Sequence, residues 1–76
     1  MTYSTSVQHT QINETYPMEK FEDQGRAQHY IYQQAYACVS SENGHIETSD
    51  DNNTIKRYNR KKELVSIFRV AAETDN

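Results

Sequence analysis

Apolar residues are scattered along most of this chain and gather only near its end, and their spacing predicts the elements. In residues 1–14, Tyr3, Thr5 and Val7 alternate with polar neighbours, which suits either an edge strand or a flexible tail. Thr15-Tyr16-Pro17 reads as a helix start, because proline at the first helical position gives up an N–H that would be unpaired there anyway. Glu19 and Glu22 would then lie near the positive end of the helix dipole. Met18, Phe21, Gly25, Gln28, Tyr32, Ala35 and Val39 recur on one helical seam. Ala27, Tyr30, Ile31, Ala35 and Cys38 form a second, adjacent set. The spacing predicts a helix near residues 17–40. A strand over residues 28–40, turning at Asn43-Gly44 into His45-Ile46-Glu47, competes with it, since Tyr, Ile, Val and Cys favour strands. The thin apolar content of residues 45–49 argues against that hairpin.

Residues 47–54 are all polar and read as a loop. The densest apolar segment follows, from Leu64 to Ala72. Its Leu64, Ile67, Phe68 and Ala71 fit a helical stripe, but Val65 and Val70 place apolar groups on nearly every side, as in a buried strand. The expected fold is therefore α+β: a small single domain with one main helix near residues 17–40, packed on a short antiparallel strand element that includes residues 64–71. An all-α helical hairpin is the alternative. Residues 1–14 are expected as a flexible or edge-strand segment, 15–72 as the domain and 73–76 as a disordered tail.

Composition narrows the function. Seventy-six residues allow one domain, and a hydrophobic share of 34% with a mean hydropathy of −1.05 allows only a small core. A net charge of −3 is too small for the excess that usually keeps polar chains disordered. The lone Cys38 precludes a disulfide within the chain and suits a reducing compartment. Between Ala37 and Val39 it reads as a small hydrophobe. No cationic and apolar leader and no run of membrane length is visible, so a cytoplasmic protein without a membrane partner is expected.

The candidate chemistry is recognition. His9, His29 and His45, with Cys38, Asp50 and Asp51, lack the paired spacing of a zinc site. The acids Glu19, Glu22 and Asp23, and Glu47, Asp50 and Asp51, lack a dry cleft or an EF-hand order. With Gly25 and Gly44 as the only glycines there is no phosphate-cradling loop. No enzyme activity, cofactor or metal is expected. What stands out is an acidic stretch, residues 42–53, running into a basic one, Lys56-Arg57-Tyr58-Asn59-Arg60-Lys61-Lys62. Arg57, Arg60, Lys61 and Lys62 are the candidates for charge, and Tyr58, Tyr30 and Tyr32 for aromatic anchoring. Glu47, Asp50 and Asp51 would face basic groups of a partner. The expected protein is a small regulator or inhibitor, of the kind a phage or mobile element encodes. It would dock residues 42–62 on a larger protein or protein–nucleic acid complex and block a functional surface. The alternative is a nucleic-acid-binding regulator using residues 56–62 directly. A second copy of the chain is also admitted as a partner.

Overall fold

The computed structural model describes residues 1–42 and 44–73. Its elements are β1 (Thr2–His9), β2 (Glu14–Phe21), α1 (Gln24–Glu42), β3 (His45–Thr48), β4 (Thr54–Tyr58) and β5 (Leu64–Glu73). The strands form one antiparallel sheet in the order β2-β1-β5-β4-β3, and α1 lies across one face in contact with every strand. The fold is α+β, and the helical hairpin is excluded by the sheet.

Strand periodicity divides the side chains between a covered and an open face. Register aligns Thr5 with Val70, Val7 with Phe68, and Phe68 with Ile55, all toward the helix. Ser6, Arg69 and Thr54 align on the open face, as do Gln8, Ile67 and Lys56. From the helix, Ala27, Ile31 and Ala35 are fully buried at i, i+4 and i+8. This is the second of the two seams, and its alanines let α1 approach the sheet closely. Ile55, Phe68 and Val70 complete the buried cluster, with Tyr3, Val7, Met18, Phe21, Tyr30 and Ile46 packed at its margin.

The loop expected over residues 47–54 is shorter, since Glu47 and Thr48 belong to β3 and Thr54 to β4, and three further expectations need correction. Residues 17–21 are strand, and α1 begins at Gln24. Pro17 sits in β2, an edge strand, which is where a sheet tolerates proline. The helix is started instead by Asp23, whose carboxylate accepts the Arg26 N–H at 3.2 Å while its carbonyl accepts Ala27 N–H at 3.2 Å. Second, residues 2–9 are neither a tail nor an edge but an inner strand, hydrogen-bonded to both β2 and β5. Third, Glu73 ends β5, so the tail expected from 73 loses its first residue, and its remainder lies outside the described residues.

Gly44 leads into β3 with no room for a side chain: a Cβ there would collide with the Tyr58 carbonyl oxygen. Gly44→Ala is expected to cost about 1–3 kcal/mol, the usual penalty of overpacking. A urea melt of the variant checks it; an unchanged midpoint would mean the chain approaches β4 less closely.

Candidate binding surface

The β3–β4 turn, with Asp50 and Asp51, and the β4–β5 turn, with Arg60, Lys61 and Lys62, lie at opposite ends of β4, while Glu47 of the acidic stretch pairs in register with Lys56 of the basic one. β4 joins the two turns, and its residues Thr54 to Tyr58 span roughly 13 Å at strand rise. The acidic end is the β3–β4 turn beside the start of α1. There Asp51 accepts the Ser49 hydroxyl at 2.6 Å and the Asn53 N–H at 3.0 Å. The Ser49 hydrogen bond, then the Asn53 N–H, hold the Asp51 carboxyl below its ordinary value. Asn52 adopts φ 62°, a conformation asparagine tolerates. Gln28 on α1 donates to the Asp51 carbonyl at 3.1 Å and to Asn53 Oδ1 at 2.9 Å, tying the turn to the helix. Asp51 is thus occupied in building the turn, whereas Asp50, Glu22 and Asp23 are exposed around it.

The basic end is the β4–β5 turn, organised by Asn59. Its Oδ1 accepts the N–H groups of Lys61 at 2.9 Å and Glu63 at 3.0 Å. Its own N–H donates to the Glu63 carbonyl at 3.0 Å, and its carbonyl accepts Lys62 N–H at 2.9 Å. Arg60, Lys61 and Lys62 all project into solvent from this turn. Lys62 has φ 67°, where glycine or asparagine would be unstrained. A cation is therefore held at a backbone position that disfavours it. Lys62→Asn is expected to raise stability by about 1 kcal/mol by relieving that strain, measured as a higher denaturation midpoint; a lower midpoint would show that the lysine makes a stabilising contact.

Tyr58 and Arg57, neighbours in sequence, serve opposite faces. The Tyr58 ring stacks on His45, centroids 4.8 Å apart and planes 7° from parallel, and its hydroxyl donates to Glu47 at 3.3 Å. Burial first, and then the Glu47 charge, raise the Tyr58 pKa above its ordinary value. Lys56 is exposed two residues away on this open face. Arg57 is half-buried on the covered face, where its Nη2 donates to the Ser66 hydroxyl at 3.2 Å. With Asn59, Val65, His9, Gln11 and Ile12 it lines a cleft of about 500 Å³.

The remaining candidates lie apart. Tyr30 is half-buried against Phe21, ring centroids 5.2 Å apart, at the margin of the core. Tyr32 is exposed on α1, stacked with Tyr36 at 6.0 Å and 12°. The structure thus gathers Arg57, Tyr58, Arg60, Lys61 and Lys62 at one end. It leaves Asp50 and Asp51 at the other, Glu47 beside Tyr58, Tyr30 in the packing and Tyr32 on the helix. Reading the sequence missed Asn59 as the turn organiser, though an asparagine ahead of four charged residues is a turn signal. It also missed His9, Ile12 and Val65, which reach the cleft from distant segments and carry no local signal. Among the described residues no three His, Cys, Asp or Glu side chains are grouped to hold a metal ion, and no helix is long and apolar enough to cross a membrane. No protein-family model, curated protein or solved structure matches the chain.

Proposed function

We propose that this protein is a small, non-catalytic regulator that docks its basic end on an acidic surface of a larger protein and blocks that surface. An inhibitor encoded by a phage or mobile element, acting in the cytoplasm, is the form this takes. The observation that carries the reading is the segregation of charge: Arg60, Lys61 and Lys62 crown one end, while Glu22, Asp23, Asp50 and Asp51 surround the other. Opposed poles orient a small domain as it approaches a charged partner and disfavour the reversed encounter. The strained Lys62 supports the same end, because backbone strain tends to persist where function requires the residue. The test is affinity capture from the source cell with wild type beside Arg60→Ala/Lys61→Ala/Lys62→Asn. A partner retained by wild type and lost by the variant supports the reading; equal capture by both removes the basic end as the docking surface.

A second reading, direct binding of nucleic acid, is favoured by one observation: the Tyr58–His45 stack beside Lys56 offers an aromatic surface next to cations. Titration with single-stranded DNA and RNA over a range of salt separates the two. Affinity that falls steeply with salt supports the second reading, and no binding at low salt eliminates it.

A further inference from the structure

The covered face is not wholly covered. α1 begins beside the acidic turn, where Gln24 and Gln28 bond Asn53, and ends next to Gly44 and Tyr58 at the β3 edge. The corner of the sheet formed by the far ends of β1 and β2 is therefore left without a helix above it. The two largest apolar groups at this corner remain exposed, Tyr16 at 45% and Ile12 at 62%. The ≈ 500 Å³ cleft opens here, directly beside the turn that carries Arg60, Lys61 and Lys62.

The lining of the cleft has two halves. Ile12 and Val65 supply an apolar wall. On the polar side Arg57 supplies guanidinium donors, one of which already bonds Ser66, His9 and Gln11 each carry a donor and an acceptor, and the Asn59 amide is held by its own turn, Nδ2 donating to Glu63 at 3.4 Å. Register places His9 and Arg57 on either side of the buried Ser66, one strand away in each direction, so both converge on one spot. We infer that this cleft takes a carboxylate carried on an aliphatic stem, as presented by an acidic segment with a neighbouring Leu-like side chain on the partner protein. This deepens the reading proposed above and rests on it.

The charge pattern favours such a segment over a polyanion. A nucleic acid needs a basic track along the protein. Here Lys20 pairs with Glu73 at 3.3 Å, Arg69 donates to Gln8 at 2.7 Å, and the exposed Lys56 lies on the open face, away from the cleft. The acidic end then repels anything that continues in that direction. A compact anionic group with an apolar attachment matches both halves of the lining; a phosphate chain matches only the donors.

The experiment is a ¹⁵N NMR titration of the intact chain with four probes: 4-methylpentanoate, its neutral counterpart 4-methylpentanamide, inorganic phosphate and a short oligothymidylate. Saturable shifts with 4-methylpentanoate are expected at the amides of His9, Ile12, Arg57, Asn59 and Val65. The neutral amide should bind about tenfold more weakly, the loss of one charge-assisted hydrogen bond. Arg57→Gln should abolish the response. Because Arg57 also bonds Ser66, Ile12→Ser serves as a second variant at an exposed turn position, with affinity about threefold lower and an unchanged fold. No saturable shift, equal binding of acid and amide, or an unaltered response in Ile12→Ser would overturn the inference. Tighter binding of phosphate or the oligonucleotide would overturn it in favour of nucleic acid. If the cleft fails while the turn variant still loses its partner, the docking end stands without the cleft. If the probes bind while capture is unaffected, the cleft stands and the docking reading falls.

Discussion

Phe68→Ala is expected to lower the melting temperature by about 12–40 °C and to leave much of the chain unfolded at body temperature. Phe68 is 4% exposed on β5, the middle strand, aligned between Val7 on one side and Ile55 on the other. Removing a buried phenylalanine costs about 3–5 kcal/mol, because transfer energy is lost and a cavity remains. A 76-residue domain has about 4–11 kcal/mol in total at the usual stability per residue. The loss is therefore a large share of what holds the fold. The control is Ile67→Ala, one residue earlier. Ile67 is half-exposed on the open face, between Gln8 and Lys56. Its truncation should cost far less than that of Phe68. Circular dichroism melts of both variants decide the matter, and equal losses would mean that the faces of β5 are misassigned.

The second large effect concerns the basic end. With the fold intact, Arg60→Ala/Lys61→Ala/Lys62→Asn is expected to slow association with the partner about ten- to hundredfold at low salt. All three side chains are exposed and none contributes to the buried cluster, so stability should not fall. Peripheral charges act mainly on the encounter, so the dissociation rate should change less than the association rate. At about 1 M salt, where charges are screened within ~3 Å, the difference between wild type and variant should nearly close. Surface plasmon resonance on the captured partner supplies both rates. A defect confined to dissociation, or one that persists at high salt, would point to direct contacts in place of steering. The separate gain expected from Lys62→Asn makes the trade visible: the same change that relaxes the turn weakens recognition.

Some of this was legible residue by residue. The run from Leu64 to Ala72 was legible as a strand and is the central one, but it is buried on one face only, with Arg69 and Ala71 exposed on the other. Ala27, Ile31 and Ala35 already form a helical set in the sequence, and they are the buried stripe of α1. The start of the helix was not legible: Pro17 offers a local signal as strong as Asp23, and only pairing of β2 with β1 decides against it. β1 was legible as one of two readings, a strand from the alternation of Tyr3, Thr5 and Val7, but not as an inner strand. Its side chains are Thr, Ser and Gln around Tyr3 and Val7, and a strand with an open polar face carries little hydrophobic signal. For the candidate surface, the run of cations is legible from the sequence, but the turn that presents them, built around Asn59, is not. Within residues 42–62, β4 sets Asp50 and Asp51 at one end of the strand and Arg60, Lys61 and Lys62 at the other, while Glu47 stays beside Lys56 and Tyr58.

By itself, the sequence determined that the core is small, favoured the α+β class over a helical hairpin, and marked the buried stripe of the helix and a run of cations. These depend on composition and on periodicities that act within a few residues of one another. The tertiary structure decided that residues 2–9 lie inside the sheet, which tyrosines face water, and that His9, Ile12 and Arg57 share one cleft. Each of those outcomes depends on the register between strands far apart in the chain. Such pairing is selected by the free energy of the whole packed domain, so no local stretch encodes it.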